Sequence, residues 1–246
     1  MEDKIVKSVG RVFAVLEAFA RVQSPLTAIE IGRRLDYPAS STAAILKSMV
    51  ALGYLALDRA TRSYLPTVRL GMLTRWLDAA VWGSDELDRL IEELHIGTGE
   101  TIIIAAQSDL AMKYLLTRPG VFPVRFLAPA GMLRPLCGSG TGWALLASKT
   151  DEEVADIVRS LNRSAPTGQA IDLDRLSDLL AQVRRQGYAA SYGNVVPGSG
   201  VIAMALPGLE CRLVLGVAGP VERLERNQAV VVQKMKAAIE RCFVPG

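Results

Sequence analysis

The sequence holds a single histidine, His95, and only three cysteines, Cys137, Cys211 and Cys242, in 246 residues. One imidazole excludes a two-histidine zinc site and leaves His95 as the sole base for a serine or cysteine hydrolase. The cysteines are odd in number, far apart and free of Cys-x-x-Cys spacing. That excludes a disulfide framework and a metal knuckle and points to a reducing cytoplasm. Aromatic residues make up only 6% of the chain, and the net charge is only +3, from 28 basic and 25 acidic side chains, too small by itself to argue for nucleic acid. Long apolar runs are missing too: the stretch from Val195 to Val221 is broken by Pro197, Pro207, Glu210 and Arg212. The opening MEDKIVKSVGR alternates charge where a secretory signal needs an apolar core. No metal, cofactor or membrane is expected as a partner.

What is present is core material. Hydrophobic residues are 50% of the chain and charged ones 22%, which excludes disorder, and the length suits two ordinary domains. Charge is unevenly spread: residues 1–82 hold 11 basic and 7 acidic side chains, leaving 17 and 18 for the rest, so the first third is +4 and the remainder −1. In that first third, Val9, Val12, Phe13, Leu16 and Phe19 form one helical stripe. Thr27 with Glu30 three residues on predicts a capping box opening a short second helix, about Ala28 to Leu35. Asp36-Tyr37-Pro38 breaks it. Ser40 or Ser41 then caps a third helix with a buried stripe of Ile45, Leu46, Met49, Val50 and Leu52, ended by Gly53 in the left-handed conformation. Strand-like runs at Tyr54 to Leu57 and Arg62 to Leu65 flank the turn from Asp58 to Thr61.

Three short helices and a hairpin are the order of a winged helix-turn-helix, although a small helical domain with no DNA role has the same pattern. The face of helix three favours DNA. Ser40, Ser41, Ala43, Ala44 and Lys47 are small or basic, with no acid to be repelled by phosphates. Ser40, Ser41, Thr42 and Lys47, with Arg33, Arg59 and Arg62, are the candidate DNA contacts.

Farther along, residues 68–83 predict a linker helix, and Leu87, Leu90, Ile91 and Leu94 the first helix of a second domain, with His95 at its end in a capping or surface role. Strands are expected at Glu100 to Ala106, Met112 to Thr117, Val124 to Ala128, Val201 to Leu206 and Cys211 to Val217. Helices are expected at Thr141 to Ala147, Asp151 to Leu161, Leu173 to Gly187 and Glu222 to Cys242. Strands arriving as neighbours read as α+β with an antiparallel sheet. CGSGTG at Cys137 to Gly142 has the glycines of a phosphate loop but lacks the βαβ unit of a dinucleotide site. Cys137 before a helix N-terminus is either a dipole-favoured nucleophile or a small buried thiol. A third reading is that the N–H groups of Gly140 and Thr141 take the carboxylate of a small ligand.

SVGRVFAVLEAF, LTAIEIGRRLDYPASSTAAILKSMVALGYL and RSYLPTVRLGML resemble the DNA-binding domain of the IclR family of bacterial transcriptional regulators. GMLRPLCGSGTGWALLA, RRQGYAASYGN, GVIAMALP and VLGVAGPVERL resemble the landmarks of its GAF-like effector domain, in the right order and over nearly the whole chain. The resemblance implies a winged helix-turn-helix over 1–67, a linker helix over 68–83 and an effector-binding domain over 84–246. It implies an oligomer, a homodimer or dimer of dimers, on double-stranded operator DNA. Ala43 and Ala44 stand where the family usually has a bulky polar residue and an arginine, so phosphate and wing contacts carry more of the affinity. The implied effector cavity has Phe126, Arg134, Gly140, Thr141, Ser191, Val201, Gly216 and Ala218 as lining, with Tyr192 and Asn194 nearby. Val201, Gly216 and Ala218 replace frequent Cys or Ser positions, implying an apolar, roomier pocket for a small organic acid, with Arg134 as its partner. The rivals are an enzyme on the second domain and a sensor that has lost DNA binding.

Overall fold

The computed structural model describes residues 6–73, 84–166, 169–207 and 213–243, and the chain divides into two units between Ala79 and Ala80. In the first unit, α1 (Lys7–Val22) turns Val15, Ala18 and Phe19 inward, while Val9 and Phe13 are 50% and 60% exposed. The stripe expected from sequence is therefore split. At 100° per residue Phe13 lies well round the helix from Val15 and Ala18, so α1 is apolar on two faces and its own core takes one.

Thr27 opens α2 (Ala28–Leu35) with the expected box: its Oγ1 accepts from Glu30 N at 3.3 Å, and Glu30 Oε2 accepts from Thr27 N at 2.8 Å. These bonds hold the Glu30 carboxyl below its ordinary range. Helix α3 (Ala39–Ala51) is capped by Pro38, not by Ser40 or Ser41, which sit in its first turn. Proline's fixed φ starts the helix two or three residues earlier than a cap at Ser40 or Ser41 would. Leu52, expected in the buried stripe, ends α3 and is 62% exposed. Gly53 has the expected positive φ, 79°. Strands β2 (Leu55–Asp58) and β3 (Ser63–Pro66) form the wing, joined by an unanticipated two-residue β1 (Leu26–Thr27) that pairs with β3. Val15, Phe19, Leu26, Ile31, Leu46, Met49 and Leu55 make the core. Residues 68–73 are helical and are designated α4; the remainder of the expected linker helix, 74–83, lies outside the described residues.

The second unit is a six-stranded antiparallel sheet in the order β6-β5-β4-β9-β8-β7. Its strands are β4 (Thr101–Ser108), β5 (Ala111–Arg118), β6 (Leu133–Pro135), β7 (Ala189–Tyr192), β8 (Ser199–Ala205) and β9 (Leu213–Pro220). Ile102, Ile104, Leu215 and Val217 face α5 (Ser84–Thr98) and α9 (Val221–Phe243). Ile103, Ala105, Val214 and Ala218 face α6 (Gly140–Ala147), α7 (Asp151–Ser164) and α8 (Leu173–Gln186). Burial on both faces is why β4 and β9 read as unbroken apolar runs. Val124 to Ala128 is not a strand but a loop. Thr101 Oγ1 donates to Phe126 O at 2.6 Å and Arg223 Nη2 to Val124 O at 3.0 Å, so side chains take the carbonyls a ladder would have used. The edge strands β6 and β7 were not anticipated, being only three and four residues long. Cys211 lies outside the described residues.

Candidate DNA-binding face and effector cavity

On α3, Ser40, Ala43, Ala44 and Lys47 are exposed on one side, and Ser41 is half-buried. Thr42 departs from expectation. It is 1% exposed and donates its hydroxyl to Pro38 O at 3.1 Å, so it fastens the first turn of α3 and has no surface for DNA. Arg33, Arg59 and Arg62 are exposed, the last two at the tip of the wing. That tip is preorganised: Asp58 Oδ1 accepts from Ala60 N at 2.8 Å and Oδ2 from Thr61 Oγ1 at 2.8 Å, which lowers the Asp58 carboxyl pKa. At the wing's exit Thr67 Oγ1 donates to Gly53 O at 2.6 Å, tying the end of α3 to the start of α4.

The second unit encloses a cavity where the N-terminus of α6 meets the sheet. Helix α6 is buried on all sides and held at both ends. Ser139 Oγ accepts from Gly142 N at 3.2 Å, and Arg184 of α8 donates to the carbonyls of Ala147 and Lys149 at 3.0 Å each. The glycines of CGSGTG serve this approach. A Cβ on Gly142 would overlap the Leu136 carbonyl, and one on Gly140 would sit 2.8 Å from Val201 Cγ1. Close packing, not a phosphate, accounts for both.

Of the residues expected in the cavity, Phe126, Arg134, Gly140, Ser191, Val201 and Ala218 line it. Thr141 is fully buried, and a Cβ on Gly216 would fall 3.5 Å from its Cγ2, so both stand behind the wall. Asn194 holds the wall from outside, its Oδ1 accepting from Ser191 Oγ at 3.0 Å and Tyr192 N at 3.1 Å. Tyr192 points to the opposite face of the sheet, because alternate residues of β7 face opposite ways. Sequence reasoning missed Tyr114, Ser139 and the loop residues Val195 and Val196, with Ser199 and Gly200 of β8. The period-2 alternation of β5 and the Pro-Gly turn at Pro197 and Gly198 were the available signals.

The cavity is tight. It measures about 30 Å³, room for one or two waters. Val201 fills space where a smaller side chain would leave it, which corrects the expectation of a roomy pocket. Arg134 lies at its edge with its guanidinium carbon 5.6 Å from the Tyr114 ring centre and 5.9 Å from that of Phe126. Among the described residues it has no carboxylate partner. The first-turn N–H groups of Gly140 and Thr141 are ones an α-helix leaves without an intrahelical acceptor. Cys137 is held against ionisation: burial pushes its thiol up to about 11, and its carbonyl accepts the Trp143 indole N–H at 2.7 Å. His95 places Nε2 2.9 Å from Pro119 O.

The loop carrying Phe126 is pinned by an ion pair that sequence did not reveal. Glu100, 3% exposed, is paired bidentately with Arg223 of α9, whose Nη2 is 2.8 Å from Oε2 and whose Nε reaches Oε1. Arg223 also stacks over Phe122 at 4.2 Å and is held more basic by this carboxylate.

A winged helix-turn-helix with an acid-free helix face, in one chain with a sheet domain enclosing a cavity, defines a class of protein: a regulator that reads DNA with one domain and senses a small molecule with the other. The sequence profile of the bacterial transcriptional regulator IclR C-terminal domain matches residues 85–242, and that of the IclR helix-turn-helix domain matches 8–59. The chain belongs to the IclR family of ligand-responsive transcriptional regulators. It is 28% identical over 236 residues to the HTH-type transcriptional repressor AllR of Salmonella typhimurium, covering 93% of this chain and 85% of the repressor. It is 27% identical over 203 residues to the transcriptional regulator KdgR of Escherichia coli K12, covering 82% of this chain and 76% of that protein. Among solved structures, the effector domain of IclR from Acinetobacter sp. ADP1 aligns at a TM-score of 0.61 and 25% identity, covering 69% of this chain and 99% of that one. An IclR regulator from Alicyclobacillus acidocaldarius shares the fold along 96% of this chain and 97% of its own, at a TM-score of 0.58.

Proposed function

We propose that the chain is a cytoplasmic regulator that binds operator DNA as a homodimer or dimer of dimers and responds to a small, fairly apolar carboxylate. Arg134 carries the effector reading. It is a cation without a carboxylate partner among the described residues, beside the N-terminus of α6, at a cavity whose other walls are two rings, small apolar groups and the serines Ser139, Ser191 and Ser199. A carboxylate there gains a bidentate guanidinium and the first-turn N–H of Gly140. Because the space holds only a water or two, a ligand must displace wall side chains, and the open and closed forms then differ in affinity. Such a difference is what a ligand needs in order to shift DNA binding.

On the DNA side, Ser40, Ser41 and Lys47 approach the major groove while Arg33, Arg59 and Arg62 reach phosphates. The exposed Ala43 and Ala44 favour backbone contacts over base reading. Assembly is supported by the second apolar face of α1, with Val9 and Phe13, and by an apolar groove of about 570 Å³ lined by Leu16, Phe19, Leu65, Pro66 and Leu70. A second copy covering these surfaces would pair two half-sites. The enzyme reading finds little support in a protonated Cys137 and an engaged His95.

The test is a gel shift on DNA flanking the protein's own gene, at several salt concentrations, with and without candidate carboxylates. Arg134→Ala removes a charge-assisted bond of about 1.5–3 kcal/mol and should raise the effective ligand concentration by roughly one to two decades. Ala218→Leu should abolish the response while leaving ligand-free DNA binding intact; a domain that unfolds instead would show Ala218 to be core and the pocket misplaced. An unchanged response in both variants refutes the placement of the effector.

A further inference from the structure

A second cavity, of about 250 Å³, opens along the free edge of β7, on the far side of that strand from Ser191. Ala190 and Tyr192 line it from the strand, Tyr188 from the residue just before it, Gln228 from α9, Gln182 from α8 and Trp143 from α6. Its polar groups are already aimed. Tyr192 OH donates to Gln228 Oε1 at 2.6 Å, and Gln228 Nε2 donates to Tyr188 OH at 2.8 Å. A phenol that accepts keeps its own hydrogen, so Tyr188 still has a donor and Gln228 a second N–H. Gln182 makes no hydrogen bond among the described residues and offers both a donor and an acceptor. The Trp143 N–H is spent on Cys137 O, which fixes the indole so that it presents ring surface and no donor. Burial and the nearby Glu225 keep the Tyr192 phenol protonated, its pKa pushed up to about 12.

We propose that this cavity binds an uncharged planar ring carrying hydroxyl or carboxamide groups, at a site separate from the effector cavity and linked to it through α6 and β7. The chemistry follows from the lining. Among the described residues no charged side chain lines the space, so an ion entering it loses hydration without a counter-charge. A purely apolar ligand would strand the donors of the half-buried Tyr188 and Gln228. A flat ring against Trp143 with polar substituents satisfies both demands. The volume, that of roughly eight liquid waters at about 30 Å³ each, suits one substituted ring.

The linkage is geometric. Helix α6 brings Gly140 to the first cavity and Trp143 to the second, and β7 brings Ser191 to the first and Tyr192 to the second. Asn194 Oδ1 accepts from both of those neighbours, Ser191 Oγ and Tyr192 N. The linkage rests on the effector reading; binding at the second cavity does not.

The probe is 3-hydroxybenzamide, neutral at pH 7, titrated into the full-length protein by calorimetry, with 3-hydroxybenzoate as its charged counterpart. The amide should bind saturably at millimolar concentrations or below. Ala190→Phe fills the cavity and should weaken it at least tenfold; Gln182→Ala, at an exposed helix position that leaves folding intact, should weaken it roughly threefold to tenfold. Ala218→Leu, in the first cavity, should leave amide binding unchanged while removing any response to carboxylates, so failure of the effector reading shows separately. Absence of saturable amide binding overturns the site. So does amide binding that withstands both Ala190→Phe and Gln182→Ala, or that is lost in Ala218→Leu. A carboxylate affinity indifferent to saturating amide overturns the linkage.

Discussion

At the scale of single residues, the two domains use opposite devices. The proposed DNA face works by exposure: Lys47 and Arg62 are exposed, and small neighbours let the helix come close. Lys47→Ala and Arg62→Ala should each weaken DNA binding about equally across operator variants. Each should also flatten the plot of log K against log salt by about one unit, since each removes one phosphate contact. A change in base preference at one position with the salt slope intact would mean that the residue reads sequence. The sensor domain works by burial, and Cys137 shows it chemically. With its pKa pushed up to about 11, the thiolate fraction at pH 8 is about a hundredfold below that of a thiol at 9.0. Iodoacetamide should therefore modify Cys137 slowly, at a rate rising about tenfold per pH unit between 8 and 10. Fast, pH-flat modification would show the thiolate to be favoured after all.

At the scale of elements, what decides is how an end or a loop is fastened. Helix α2 is secured locally, by a box two residues of sequence can announce. The loop carrying Phe126 is secured from afar, by Thr101 on β4 and by Arg223 on α9 through Glu100. Breaking a buried ion pair by removing one partner typically costs about 3–5 kcal/mol. Arg223 keeps a quarter of its side chain exposed, so Glu100→Gln should destabilise the sensor domain by less, about 2–3 kcal/mol in urea unfolding. It should also loosen hydrogen-exchange protection across residues 119–128. Loss below about 0.5 kcal/mol would show the pair to be incidental.

At the scale of the whole molecule, each half leaves something for a partner. One helix-turn-helix unit spans too few base pairs for a specific site, and α1 leaves Phe13 60% exposed on its second apolar face. For the proposed dimer, Phe13→Glu should shift sedimentation at micromolar concentration from dimer toward monomer and weaken operator binding more than tenfold, with the circular dichroism of the isolated chain unchanged. A variant that stays dimeric would move the interface away from α1. The charge division of +4 and −1 fits this split of labour, the first unit facing phosphates and the second a small ligand.

The sequence by itself determined what short-range rules control: the Thr27–Glu30 box, the end of α3 at Gly53, the order of helices and wing, and the long apolar strands β4 and β9. These depend on neighbours a few residues away or on a periodicity any window displays. The resemblance also named half of the residues that line the first cavity, Phe126, Arg134, Gly140, Ser191, Val201 and Ala218. Only tertiary structure decided which face of α1 is spent on its own core, that Thr42 is buried under the first turn of α3, that Val124 to Ala128 is a pinned loop, and that Tyr192 and Ser191 serve different cavities. It also brought Glu100 to Arg223 across 123 positions. The physical reason is common to all five: burial and pairing depend on which surface arrives from elsewhere in the chain, and local pattern says only that a residue is able to be covered, not by what.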